Sequence, residues 1–188
     1  MVAASRDPLA RALEISFCIV AAIAIAWIVS AVVAGLGVDL HWFGIFPRSL
    51  RGLSGIVFSP FLHGNAIHLW SNAVPLFVLL TLLFWNLGYR PTQTLAYVWI
   101  GSGAGTWLIG GADELHIGAS GVVYGLVAYL VTAGFMMRSW RSVFVAILVF
   151  FLYGGIVWGA LPIQEGVSWE GHLCGAISGV WAARKAHR

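Results

Sequence analysis

The sequence predicts an all-α membrane protein, built as a bundle of six transmembrane helices. Hydrophobic residues make up 60% of the 188-residue chain, charged residues only 9%, and the mean hydropathy is +0.90. These values lie outside the range of ordinary soluble domains. Nearly every stretch of about 20 residues is apolar, which is the length that a helix needs to cross the hydrocarbon core. We therefore expect one membrane domain over residues 1–188 and no soluble domain.

Six segments carry the length and apolar character of membrane-spanning helices. The predicted spans are about 13–37, 66–87, 93–112, 117–137, 141–161 and 170–184. The first is longer than the core of a signal peptide and lacks a convincing cleavage site, so we expect it to be retained as a helix.

The segment between the first two spans, about 38–64, is too interrupted by Pro, Gly and Arg residues to cross the membrane. Its aromatic residues nevertheless give it an apolar side, and aromatic rings favour the membrane interface. We expect a partly embedded loop, the alternative being a surface loop with scattered aromatics. The aromatic residues are Trp42, Phe43, Phe46, Phe58 and Phe61.

Positive charges predict the direction of the helices. Eight of the ten Lys and Arg residues would lie on one side of the membrane, and acidic residues collect on the other side. By the positive-inside rule, both termini are cytoplasmic, and a bacterial or archaeal inner membrane is expected. The basic residues form no dense run, which argues against nucleic-acid binding. The eight are Arg6, Arg11, Arg90, Arg138, Arg141, Arg184, Lys185 and Arg188, opposite Asp39, Asp113, Glu114, Glu165 and Glu170.

Small-residue patterns on two spans predict a close helix pair. Gly121 and Gly125 are four apart on the fourth span, as are Gly175 and Gly179 on the sixth. Such small-xxx-small strips let membrane helices approach closely. We expect these two faces to touch, although a lipid-facing or oligomeric role is the alternative for each.

Polar residues collect at one depth of the predicted bundle. With both termini inside, the second, fourth and sixth spans all begin at the outer face, so their first turns share one leaflet. The residues at these positions are His63, His68, Asn72, Ser120 and His172. Polar and ionisable groups are costly inside a membrane, which favours a functional role for the set.

The types of these side chains favour nucleophilic catalysis. A serine hydroxyl becomes a nucleophile when an imidazole takes its proton, and that imidazole can then protonate the leaving amine. Backbone N–H groups near Gly118 to Ser120, with Asn72 and His63, are candidates for binding a developing oxyanion. Taken singly, each residue has a structural alternative: Ser120 as a hydroxyl bonded to its own helix, the histidines as interfacial groups, and Asn72 and Tyr124 as packing residues.

In three separated places these residues resemble the rhomboid family of intramembrane serine proteases, in its minimal six-helix prokaryotic form. The second-helix pattern is His63, His68 and Asn72, the nucleophile motif is Gly118-Ala119-Ser120-Gly121, and the sixth-helix pattern is His172 followed by Gly175 and Gly179. The resemblance covers essentially the whole chain. It implies proteolytic cleavage of single-pass transmembrane proteins within the lipid bilayer, with no cofactor and no metal ion.

The resemblance also implies individual roles. Ser120 would be the nucleophile and His172 the general base of a dyad. His63, Asn72 and the Ser120 N–H would hold the oxyanion, and Gly118 would permit a tight turn. Tyr124 would orient the His172 ring, and His68 would fasten the interfacial loop. The segment from about 161 to 169 would cap the cavity and move to admit substrate.

One feature departs from the family pattern. The usual Trp-Arg pair of the interfacial loop is missing, since Ser54 and Gly55 stand at the corresponding spacing, and Arg48 or Arg51 is expected to substitute for it. His41, His116 and His187 are expected to have no functional role.

Two other functions remain as alternatives. A catalytically silent relative would bind membrane proteins without cutting them. A small transporter or a haem-carrying bundle would also hold polar residues within its spans, but neither internal repeats nor suitably spaced histidines favour it.

Overall fold

The computed structural model describes residues 7–163 and 166–187. Arg6, Glu165 and Arg188, which contributed to the charge pattern, lie outside the described residues. Within them the chain is helical, with seven α-helices and several short 3-10 helices. The α-helices are α1 (Pro8–Ala34), α2 (Gly55–Phe58), α3 (Ala66–Trp85), α4 (Pro91–Ile109), α5 (Ser120–Met136), α6 (Trp140–Tyr153) and α7 (Trp169–His187). The additional helix relative to the predicted six is the four-residue α2, in the segment expected to be a loop.

Three helical segments are long and apolar enough to cross a membrane. They are Pro8–Ala34, Ala66–Trp85 and Trp140–Ala160, the last combining α6 with the 3-10 helix Gly154–Ala160. Large apolar side chains are widely exposed on the outside of the bundle, including Phe17 at 67% and Phe151 at 79%. Such exposure is unusual for a soluble protein but suits contact with lipid. Together these features indicate an integral membrane protein.

The helix ends differ from the predicted ends for local reasons. α1 begins at Pro8, earlier than the predicted 13, because the Asp7 side chain accepts a hydrogen bond from the Leu9 N–H and Pro8 suits a first helical position. α6 ends at Tyr153, before the predicted 161, and a 3-10 helix from Gly154 to Ala160 follows it directly.

The segment between α1 and α3 is ordered by contacts with the rest of the chain. Ile45 forms an isolated antiparallel bridge with His116. The Arg48 guanidinium donates to the carbonyls of Leu108 and Gly110, at 3.1 and 2.7 Å, and so binds the exposed carbonyls at the end of α4. The Arg51 guanidinium lies 3.3 Å from the centre of the Phe46 ring. The two arginines thus fasten this segment.

The predicted contact between the glycine faces of α5 and α7 is confirmed. A Cβ added at Gly175 would overlap the backbone oxygen of Gly121, and one added at Gly179 would overlap that of Gly125. The absence of side chains therefore lets the two backbones touch. The contact brings the first turns of α5 and α7 together, which positions the site described below.

Candidate active site

Ser120 is the first residue of α5 and follows a sharp turn. Gly118 has φ +110°, a conformation that residues with a Cβ rarely adopt, and its N–H donates to the Ser59 carbonyl at 2.9 Å. The Val122 and Val123 N–H groups donate to the Ala119 carbonyl, at 3.0 and 3.1 Å, so the Ser120 and Gly121 N–H groups at the helix start are the ones left to bind an anion. The turn therefore places the Ser120 hydroxyl beside a set of backbone donors.

His172 lies in the first turns of α7 and contacts Ser120 directly. Its Nε2 and the Ser120 Oγ are 2.7 Å apart, although the residues are 52 positions apart in the chain. The His172 side chain is buried, whereas Ser120 is partly exposed. The two groups thus form a hydrogen-bonded dyad whose Ser120 side is accessible from the protein surface.

The second ring nitrogen of His172 is held by the backbone. Nδ1 is 2.8 Å from the carbonyl oxygen of Gly159, in the 3-10 helix that follows α6. A carbonyl can only accept, so Nδ1 carries the proton and Nε2 is left with the lone pair that accepts from Ser120. A carbonyl thus occupies the place that an aspartate has in a soluble serine-protease triad.

The Tyr124 ring stacks on the His172 imidazole and so restrains the orientation of that ring. The two ring centroids are 4.0 Å apart and their planes differ by 10°. Tyr124 lies one turn after Ser120 on α5, so one helix carries both the hydroxyl and the stacking ring. The stacking contact is present, and the supporting role of Tyr124 stays a prediction.

His63, just before α3, and His68, within α3, do not have the positions expected from the sequence. His68, expected to fasten the loop, faces the cleft: a Cβ at Gly118 would be 2.6 Å from its Nε2. His63, expected at the oxyanion, is 2% exposed and packs edge-on against His68, with ring centroids 5.0 Å apart. It does not line the cleft. The reason is spacing, since His68 and Asn72 are four apart on one face of α3 while His63 precedes the helix.

Burial lowers the pKa of His63 to about 4, and repulsion from His68 acts in the same direction. His63 is therefore neutral at physiological pH. The Asn72 side chain is buried and donates to the His68 carbonyl at 2.8 Å, which fixes its position on α3.

The dyad opens into a cleft of about 930 Å³. Ser120, His172, Tyr124, His68 and Asn72 all line it, together with residues of the 166–168 segment. The volume is at the upper end of the range for ligand pockets, so an extended peptide segment has room beside the Ser120 hydroxyl. Chemically, the cleft combines a nucleophile, a base with a free lone pair, and several hydrogen-bond donors.

The Gly159 carbonyl is a contributor to the site that the sequence did not indicate. Every residue except proline carries the same N–H and C=O groups, and Gly159 lies in an irregular segment without a motif. Its part in the site depends on the path of the chain after α6, which no local pattern encodes.

Comparisons with known proteins give the family of the chain. A family model described as the Rhomboid domain matches residues 48–188. Uncharacterized proteins of Mycobacterium bovis and Mycobacterium tuberculosis are each 43% identical over 148 residues, covering 74% of this chain and 62% of theirs. One from Mycobacterium leprae is 44% identical over 140 residues, covering 70% of this chain and 55% of its own.

The chain thus spans about three fifths of the length of these relatives, and no solved structure matches it significantly. The family match covers most of the chain and includes all the residues of the cleft. The protein belongs to the rhomboid family.

Proposed function

We propose that this protein is an intramembrane serine endopeptidase that cuts single-pass transmembrane proteins near the outer face of the membrane. The observation that carries the proposal is the 2.7 Å hydrogen bond between Ser120 Oγ and His172 Nε2, with the imidazole oriented through Nδ1 by the Gly159 carbonyl. Family membership adds support, because it makes a shared chemistry reasonable.

The reaction would proceed by acyl transfer. Ser120 Oγ attacks the scissile carbonyl carbon while His172 Nε2 takes the hydroxyl proton, and the oxygen of that carbonyl becomes an oxyanion. The imidazolium then protonates the leaving amine, which leaves an acyl-enzyme. Water loses a proton to His172 and attacks the ester, after which Ser120 regains its proton as the carboxylic acid departs.

The oxyanion would be bound by the Ser120 N–H, His68 and Asn72. Both side chains line the cleft, and first-turn N–H groups of α5 together with the helix dipole favour negative charge there. His63 would instead support the His68 ring from behind. Gly118 would keep the approach open, since a side chain there would collide with His68.

The membrane arrangement is part of the same proposal. We infer six crossings, by α1, α3, α4, α5, α6 and α7, within one domain over residues 1–188, with both termini cytoplasmic and the partly embedded segment 38–64 at the outer interface. The inner membrane of a bacterium or archaeon suits this arrangement. Substrates would contain Gly, Pro or other helix-weakening residues near the cut, because a helical peptide bond is protected by its own hydrogen bonds.

Cleavage of a fluorogenic single-span substrate by the purified protein tests the proposal. Ser120→Ala and His172→Ala should each lower the rate by at least about a thousandfold, while Ser54→Ala and His41→Gln, away from the cleft, should leave it unchanged. Residual cleavage by a folded Ser120→Ala variant would contradict the mechanism. A serine-directed fluorophosphonate should label Ser120, whereas a catalytically silent relative that only binds membrane proteins would give no Ser120-dependent adduct.

A further inference from the structure

Three side chains of metal-ligand type meet at the edge of the cleft, although no sequence motif connects them. Glu114 and His116 lie in the loop before α5, and Glu170 lies in the first turn of α7. One donor atom from each lies within 4.8 Å of the others. None of the three takes part in the proposed proteolysis, and the sequence pattern predicts neither a metal ion nor a role for His116.

Two of these side chains are buried with a polar atom unsatisfied. His116 and Glu170 are each 5% exposed, and within the described residues His116 Nε2 and Glu170 Oε2 have no hydrogen-bond partner. A buried carboxylate oxygen without a hydrogen bond is costly, and buried carboxylates usually pair with a charge or coordinate a metal. The unsatisfied atoms are therefore available to coordinate a cation.

The His116 ring is oriented as a metal-binding histidine is. Its Nδ1 hydrogen-bonds the Ser168 hydroxyl. When Nδ1 donates in this bond, Nε2 presents a lone pair, which is the usual second-shell arrangement at metal sites. A Cβ added at Gly110 would lie 2.7 Å from Nε2, so the space beside this atom exists only because residue 110 is a glycine.

The separation of two of the donor atoms is close to that found at a zinc ion. His116 Nε2 and Glu114 Oε2 are 3.7 Å apart, compared with about 3.4 Å between two ligands of a tetrahedral zinc ion. Glu114 is exposed, so its side chain can adjust to complete the coordination.

We propose that Glu114, His116 and Glu170 bind one divalent transition-metal ion of the zinc class. Imidazole nitrogen and carboxylate oxygen are both zinc ligands, and the imidazole favours a transition metal over magnesium or calcium; a fourth position would be open to water. The ion would join the loop before α5 to the start of α7, two residues before His172. The inference concerns binding alone and does not depend on the chemistry of Ser120.

Zinc titration of the chelator-treated, full-length protein in detergent tests the inference. Calorimetry should give one Zn²⁺ per chain, and bound Zn²⁺ should raise the thermal unfolding midpoint because it binds only the folded state. Glu114→Gln, His116→Gln and Glu170→Gln should each weaken binding at least about tenfold. Asp113→Asn, a neighbouring acid outside the group, and His41→Gln, a histidine elsewhere, should bind as the parent does.

Ser120→Ala should also bind zinc normally, which separates failure of this site from failure of the proposed protease function. Should the buried His116 or Glu170 variants misfold, exposed Glu114→Gln still reports on the site. The inference is overturned if the parent protein does not bind Zn²⁺. It is also overturned if folded Glu114→Gln binds Zn²⁺ as tightly as the parent protein.

Discussion

The Tyr124 ring lies parallel to the His172 imidazole, with centroids 4.0 Å apart and 10° between the planes, while its hydroxyl lies against Gly159. One tyrosine therefore contacts both the proposed base and the residue whose carbonyl orients that base. Tyr124, Gly159 and His172 form a unit in which each position depends on the other two.

Tyr124 should act through its ring rather than its hydroxyl. Tyr124→Phe keeps the stacking face and should retain cleavage within about threefold, whereas Tyr124→Ala frees the imidazole to rotate and should lower kcat by about 10- to 100-fold. Cleavage kinetics of both variants, with thermal unfolding to confirm folding, measure this. Equal losses in the two variants would show that the hydroxyl matters instead.

Gly159→Ala should disturb the base from outside its own helix. The added Cβ would overlap the Tyr124 hydroxyl and lie 3.4 Å from His172 Nδ1, so kcat should fall by about tenfold as the ring moves. Removing the hydroxyl makes room, and the double variant Gly159→Ala with Tyr124→Phe should recover part of the lost rate. A double-mutant cycle measures the coupling, and strict additivity of the two changes would argue against this contact.

The oxyanion proposal distinguishes the two histidines near α3. His68→Ala removes a group that lines the cleft and should lower kcat by about 10²-fold or more, with a smaller effect on KM, because the interaction is strongest in the transition state. Asn72→Ala should act in the same direction. If His68→Ala cleaves like the parent protein, the donor lies elsewhere.

His63 should make stability depend on pH. Its pKa is about 4 in the folded protein, against about 6.5 when unfolded, so between these values the unfolded state binds more protons. Stability should therefore fall as the pH drops from about 6.5 to about 4 and should not change through His63 above that range. Thermal unfolding midpoints of the parent and His63→Gln, measured from pH 4.5 to 7.5, test this: the variant should show a shallower decline, and parallel curves would count against it.

The α5–α7 contact should tolerate no added atoms. Gly175→Ala would press a methyl group against the backbone oxygen of Gly121, which cannot yield as a side chain can, and overpacking of this kind costs about 1–3 kcal/mol. The thermal unfolding midpoint should fall, and cleavage should fall with it because the contact aligns Ser120 with His172. Gly64→Ala, where an added Cβ meets nothing within 4 Å, is the matched control. An unchanged midpoint for Gly175→Ala would refute the close approach.

Several features of the molecule follow from local patterns in the chain. The positions of α3, α4, α5 and α7 were predicted to within a few residues, because long apolar runs have few alternatives in a membrane. The contact between the Gly121–Gly125 and Gly175–Gly179 faces was also predictable from local sequence, because strips of small residues allow two helices to pack closely. Ser120 and His172 are recognisable as site candidates because polar groups are rare in the membrane-spanning part of so apolar a chain.

The sequence by itself determined the membrane class, the helices and the chemical types gathered at one depth, because hydropathy and residue type are local properties. Only the tertiary structure decided which histidine faces the cleft, because His63 and His68 are the same residue type and differ in position, one before α3 and one on its first turn. Likewise, the chain path after α6 brings the Gly159 carbonyl to His172, and the folding of a loop onto α7 brings His116 to Glu170. These contacts join residues distant along the chain, and their partners carry no local signal.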